Sequence, residues 1–216
     1  MKVLITGAGG LVGSEAARFY LKKGYKVFGV DNNMRAYFFG PGGDISGNLK
    51  ALADLKADFK NFALDIRNSE AIFKLFKTHG PFDLIVHTAA QPSHDWAARE
   101  PLTDFGINAT GTLNMLEGFR LYSSGGVFIF TSTNKVYGDT PNRANLEEGE
   151  KRYDFSPTQS LAGVSTRGIS EKMSIDDSIH SGFGASKVAA DIMAQEYGRY
   201  FNLNVGIFRG GCLTGP

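Results

Sequence analysis

Lys2-Val3-Leu4-Ile5-Thr6-Gly7-Ala8-Gly9-Gly10-Leu11-Val12-Gly13 opens the chain and decides its fold. The apolar run Lys2–Thr6 reads as a strand, and Leu11–Lys23 reads as an amphipathic helix. Between them, glycines at 7, 10 and 13 give the spacing G-x-x-G-x-x-G. In a strand–turn–helix setting the first glycine permits the tight turn and the second lets backbone approach a pyrophosphate. The third lets the helix pack closely on the strand. The amides of Leu11 and Val12 at the helix start, with the positive end of the helix dipole, suit phosphate. Asp31 closes the second strand, 18 residues after Gly13. A carboxylate there accepts hydrogen bonds from ribose hydroxyls and repels an added 2′-phosphate. Asn32 and Asn33 follow it, and the nearest arginine is Arg35, so NAD is expected in preference to NADP.

Outward from this stretch, short apolar runs alternate with amphipathic ones. Strands are expected at Lys2–Thr6, Lys26–Asp31, Asn61–Leu64, Asp83–Thr88, Val127–Thr131 and Val205–Phe208. Their near-continuous Val, Ile, Leu and Phe content suits burial on both faces. Helices are expected at Leu11–Lys23, Ser69–Thr78 with Ser69 as N-cap, Leu102–Tyr122 and Gly184–Phe201. This order predicts an α/β fold of the Rossmann type, a doubly wound parallel sheet with helices on both faces. Two stretches interrupt it. Asn32–Asn48, with its glycines and the trio Tyr37-Phe38-Phe39, reads as a long loop over the cofactor side. Asp139–Gly182 is polar and reads as a long loop insertion, of the kind that is usually functional or mobile.

Composition sets limits. Of 216 residues 42% are hydrophobic and 21% charged, which suits a globular core. The net charge of +1 comes without a basic run, so no nucleic-acid partner is expected. The lone Cys212 excludes an internal disulfide, and His79, His87, His94 and His180 lack metal-ligand spacing, so no metal site is expected. No run is long enough to span a membrane, and a cytoplasmic protein is the expectation.

Further segments follow the glycine loop in order: Asp65-Ile66, His87-Thr88-Ala89-Ala90, Asn108, Thr131–Gly138, Phe183-Gly184-Ala185-Ser186-Lys187, and Arg209–Pro216. Together they resemble the extended short-chain dehydrogenase/reductase family of NAD-dependent epimerases and dehydratases, across essentially the whole chain. The resemblance implies NAD held by Gly7, Gly10, Leu11, Val12, Gly13, Asp31 and Asn32, by Asp65 and Ile66 around adenine, and by Thr88, Ala89, Ala90 and Lys187. It implies a nucleotide-sugar substrate whose reacting oxygen meets Thr133, and a homodimer. Epimerisation would oxidise a ring carbon and return the hydride to its other face. A dehydratase or reductase is a second expectation, although Asn134-Lys135 stand where dehydratases commonly carry Asp-Glu after the threonine. A non-catalytic NAD sensor is a third.

Two features depart from the family. Its Y-x-x-x-K pairs a proton-exchanging tyrosine with a lysine, but here the lysine is Lys187 and the tyrosine position is Phe183. Phenylalanine has no proton to exchange. The readings are an altered residue, a natural subgroup with its base elsewhere, or a site without chemistry. Tyr137, His180, Asp176 and Asp177 are the candidate bases by motif position. Gln91, Ser93, His94, Trp96 and Arg99 follow the fourth strand at the ligand-facing edge, where Trp96 and Arg99 could meet a substrate or simply pack. The second departure is length. The family continues past Pro216, so residues 1–216 are expected to form an NAD-binding domain with the substrate domain truncated or missing.

Overall fold

The structure is a computed structural model that describes residues 1–55 and 58–214. Six strands form one parallel sheet: β1 (Lys2–Thr6), β2 (Lys26–Val30), β3 (Phe59–Phe62), β4 (Leu84–His87), β5 (Val127–Thr133) and β6 (Val205–Gly210). Their spatial order is β6-β5-β4-β1-β2-β3. All five pairings are parallel. The order of connection reverses between β1 and β4, and the crevice beyond the carboxyl ends at that point is where doubly wound sheets bind ligands.

Side-chain alternation divides the core in two. Leu4, Phe28, Ile85, Phe128 and Phe130 face one way, against Phe76, Phe119, Ala190 and Ala194. Val3, Ile5, Val27, Leu84 and Val86 face the other way, against Ala17, Leu21 and Leu52. Helix α1 (Leu11–Lys22) covers the second face together with a short helix, Ser46–Ala53. Three long helical segments, Ser69–His79, Thr112–Tyr122 and Ser181–Arg199, cover the first.

Several boundaries differ from the sequence expectation. Asn32–Asn48 is not a plain loop. It contains a short helix at Met34–Phe39, a 3₁₀ turn at Gly40–Gly43 and the start of the Ser46–Ala53 helix. Gly40, at φ +63°, and Pro41 separate the helices, and Asn33 bonds across to the Asp44 carboxylate (2.7 Å) and the Ile45 amide (3.1 Å). The third strand lies at Phe59–Phe62 rather than 61–64. Asn68, not Ser69, caps the helix Ser69–His79, accepting from the Ala71 amide at 3.0 Å. The last helix begins at Ser181 and ends at Arg199 rather than spanning Gly184–Phe201.

The expected helix Leu102–Tyr122 is a compound one. It opens at Pro101–Phe105, widens to a π turn over Gly106–Gly111, and resumes at Thr112. A side chain at Gly111 would bring its Cβ within 2.6 Å of Ile66 Cδ1, so the glycine lets the turn lie against that residue.

The insertion at 139–182 carries two small hairpins, Leu146–Glu148 with Tyr153–Phe155 and Val164–Ser165 with Gly168–Ile169. Met173 buries against Val136 and Tyr137, and Asp139 accepts from the Ile179 amide at 3.1 Å. Both ends of the insertion are thereby tied to the end of β5.

Candidate cofactor cleft

The turn after β1 is held by the Gly7 amide, which donates to the Val30 carbonyl at 2.8 Å, and by the Gly10 amide, which donates to the Gly7 carbonyl at 3.0 Å. Gly7 has φ +67°, and a Cβ there would lie 2.8 Å from Thr88 Oγ1 and 2.9 Å from the Ala89 amide. At Gly13 a Cβ would sit 2.0 Å from the Gly7 carbonyl oxygen. These two positions exclude any side chain. No side chain caps the N-terminus of α1, so its first amides face the cleft. That is the arrangement an anionic pyrophosphate requires.

A cleft of about 260 Å³ opens here, at the sheet's switch point. Gly7, Gly10, Leu11, Val12, Asp31, Asn32, Asp65, Ile66, Thr88, Ala89 and Ala90 line it, eleven of the residues expected to hold cofactor. Gly13 stands behind the loop. Met34, Arg35, Phe38, Ile45, Pro92 and Ile107 also line it. Sequence reasoning places the stretch 32–48 over the cofactor side, but as a loop, and so does not single out the lining residues of 34–45. The four-residue spacing of Met34 and Phe38 is the helical signal that could have found it.

Asp31 is fixed from two sides: Oδ2 accepts from the Gly9 amide and Oδ1 from the Asn33 amide, both at 2.9 Å. Burial pushes the Asp65 carboxyl up, but hydrogen bonds from the Arg67 guanidinium and amide outweigh this and hold it below the ordinary value.

His87, which opens the segment His87-Thr88-Ala89-Ala90, is fully buried within the sheet. Its Nδ1 is 2.6 Å from Thr6 Oγ1 and its Nε2 is 2.9 Å from Thr112 Oγ1. The Thr112 hydroxyl gives its proton to the Asn108 carbonyl at 2.6 Å, so Nε2–H is the donor and Nδ1 accepts from Thr6. Thr6 Oγ1 in turn accepts from the amides of Thr88 (3.2 Å) and Ala89 (3.1 Å). The chain of bonds thus sets the cleft's backbone. Burial, with the nearby Lys187 charge, depresses the His87 pKa to about 3.

The cleft's far wall is Thr131 and Ser132. Lys187 is buried behind it, donating to the Thr131 carbonyl at 3.1 Å with its ammonium 4.4 Å from the Phe130 ring centroid. Burial lowers its pKa to about 8, against the opposing pull of Asp191 and Asp104. Asp191, one helical turn on, accepts from Ser132 Oγ (2.5 Å) and pairs with Arg209 (2.7 Å). Burial raises the Asp191 carboxyl, but the bonds from Arg209 and Ser132 overcome it and hold the group low. Sequence reasoning did not find Asp191, although its four-residue spacing from Lys187 puts both on one helix face.

Thr133 ends β5, next to the wall, and its Oγ1 accepts from the Lys135 amide at 3.2 Å. Phe183 is buried one turn before Lys187, its ring 4.8 Å from that of His94. Asn108, in the π turn, bonds Gln91, Asp104 and Ser186. Trp96 donates to the Phe38 carbonyl (2.6 Å) and lies under Arg99, so both are engaged in packing. Gly215 and Pro216 of the expected Arg209–Pro216 segment lie outside the described residues.

A glycine loop feeding an uncapped helix, an acid at the end of β2 and a cleft at the switch point define a dinucleotide-binding α/β protein. A model of the NAD dependent epimerase/dehydratase family matches residues 3–160, and the chain belongs to that family. Membership makes NAD its cofactor. CDP-paratose 2-epimerase from Salmonella typhi is 36% identical over 215 residues, covering 100% of this chain and 58% of that protein. dTDP-glucose 4,6-dehydratase from Shigella flexneri is 28% identical, covering 94% and 52%. Among solved structures, the UDP-glucose 4-epimerase of Thermus thermophilus in complex with NAD superposes with a TM-score of 0.64 at 26% identity, over 97% of this chain and 54% of that one. The chain spans about half the length of the relatives it matches. Among the described residues, no helix is long and apolar enough to cross a membrane.

Proposed function

We propose that this chain is the NAD-holding part of a nucleotide-sugar epimerase acting on a CDP-sugar. The 36% identity to CDP-paratose 2-epimerase along the whole chain carries the reading. In it the amides at the α1 start hold pyrophosphate, Asp31 holds the adenosine ribose, and Asp65 and Ile66 flank adenine. NAD, when bound, takes up and returns a hydride. Thr133 hydrogen-bonds the reacting sugar oxygen. Lys187 orients the nicotinamide ribose, and its ammonium favours negative charge developing beside it. Asn134-Lys135 after Thr133 favour epimerisation over dehydration. The family proton donor is absent at Phe183, which supports the second reading, an NAD-binding protein without turnover.

The deciding test is incubation of the NAD-loaded protein with CDP-paratose, UDP-glucose and dTDP-glucose, with products read by NMR. Inversion at a ring carbon of the CDP-sugar supports the epimerase. Retained NAD with no product from any of the three favours the second reading. We further propose a cytoplasmic homodimer built on the helices around 101–122 and 181–199, where Leu102 (89% exposed) and Tyr200 (79%) offer apolar surface. Light scattering at micromolar concentration would read its mass.

A further inference from the structure

Of the candidate bases singled out by motif position, Tyr137 and His180 are hydrogen-bonded to other groups and Asp176 and Asp177 are exposed. Tyr137 accepts from Arg209 at 2.9 Å. His180 Nε2 donates to the Ile175 carbonyl at 2.7 Å, and its Nδ1 is buried without a partner among the described residues. Asp177 is fully exposed beside Arg143, and Asp176 is an exposed loop residue. The imidazole that touches Phe183 belongs to His94. Its ring packs edge-on against the Phe183 ring at 4.8 Å, and its Nδ1 lies 3.0 Å from Ser181 Oγ.

We propose that His94, oriented by Ser181, is the acid–base group that takes the place of the tyrosine hydroxyl missing at Phe183. This rests on the epimerase reading above. Ser181 Oγ already accepts from the Gly184 amide at 3.3 Å. In this proposal its second lone pair receives Nδ1–H of His94, 3.0 Å away, the tautomer that leaves Nε2 as the unprotonated acceptor. Ser181 holds φ +59°, a conformation that L residues rarely adopt, and this sets its hydroxyl at the start of the helix that carries Phe183 and Lys187. His94 follows Pro92, which lines the cleft, by two residues. In the oxidative half, the substrate hydroxyl proton passes to Nε2 and the C–O bond becomes C=O. The C–H bond of the same carbon breaks, and NAD⁺, when bound, would take its hydrogen and electron pair as hydride. The return half runs the same transfers backwards, with hydride delivered to the other face and the imidazolium returning its proton.

The test compares the wild type, His94→Gln and the double variant His94→Gln with Phe183→Tyr. His94→Gln is expected to lower kcat about 100-fold or more, the scale of acid–base catalysis, with the Kd for NAD unchanged. The double variant is expected to recover at least about tenfold of that loss, since it returns a hydroxyl to the family's tyrosine position. Independently of turnover, carbethoxylation of His94 by diethyl pyrocarbonate, mapped by mass spectrometry on NAD-free protein, should slow when CDP-glucose is added. A His94→Gln protein with wild-type turnover, one that also loses NAD, or a double variant that stays inactive would overturn the proposal. So would carbethoxylation indifferent to CDP-glucose. A wild type that binds NAD and turns over no sugar nucleotide instead overturns the epimerase reading beneath it.

Discussion

The Asp31 carboxylate and the Gly9 amide meet at 2.9 Å, so the acid at the end of β2 is bonded to the loop at the end of β1. The carboxylate proposed to hold the adenosine ribose thus also fixes the loop proposed to face the pyrophosphate. Replacing it should therefore weaken two parts of the site together. Asp31→Ala is expected to reduce NAD affinity about 10- to 100-fold, the scale of a lost charged hydrogen bond. Asp31→Asn, which keeps one acceptor, should fall between. Isothermal titration with NAD would check the order, and an alanine variant binding as tightly as asparagine would contradict it.

Gly13 and Gly47 make opposite predictions for one change. At Gly13 a Cβ meets the Gly7 carbonyl oxygen at 2.0 Å, whereas at Gly47 it meets nothing within 4 Å. Gly13→Ala should destabilise by about 1–3 kcal/mol through overpacking and should abolish NAD binding. Gly47→Ala lies in a short helix and should stabilise by about 0.5–1 kcal/mol. Urea unfolding of both variants reads the pair.

The His87 ring gives a signed pH dependence. Its pKa is depressed to about 3 in the fold, from an ordinary 6.5. Below 6.5 the unfolded chain takes up a proton that the native ring refuses. Its contribution is therefore complete above that pH and is lost as pH falls toward 3. The slope is about 1.4 kcal/mol per pH unit, so moving from about pH 7 to about pH 5 should cost about 2 kcal/mol. His87→Asn has nothing to protonate, and the difference in unfolding free energy between the two proteins should narrow by that amount over the interval.

Trp96 is the chain's single tryptophan. It donates to the carbonyl of Phe38, which lines the cleft. NAD binding should alter its emission, and titration of the intrinsic fluorescence should give the same Kd as calorimetry. Trp96→Phe should remove the signal while changing affinity by less than about threefold, because the indole packs behind the cleft rather than lining it.

Where one physical rule dominated, the sequence was legible. The strands β1, β2 and β4 are apolar on both faces, and their positions were readable to within a residue. The glycine spacing and Asp31 located the cleft because each answers to a steric or electrostatic need of the turn. Met34 and Phe38 escaped because Gly40-Pro41-Gly42-Gly43 imposes loop composition on a stretch that still holds helical turns. The partnerships of Arg209 and His94 escaped for another reason. Arg209 acts through Asp191, 18 residues away, and His94 meets Ser181 across 87 residues. The His94 contact follows from the packing of the short helix His94–Arg99 against the Ser181–Arg199 helix, and the Arg209 contact from the packing of that same helix against β6, which no local pattern records.

The π turn at Gly106–Gly111 inserts extra backbone into one helical circuit. Everything from Thr112 onward is therefore turned about the helix axis, by about 100° for each inserted residue, relative to an unbroken α-helix. Phe119, which fills the core, and Thr112, which receives the His87 proton bond, both lie beyond the phase shift. A one-residue deletion within the turn would therefore regularise the hydrogen-bond ladder and leave both side chains on their partners, whereas a deletion between Thr112 and Phe119 would rotate Phe119 by about 100° out of the core. The turn is a place where the helix can lose a residue without losing its register.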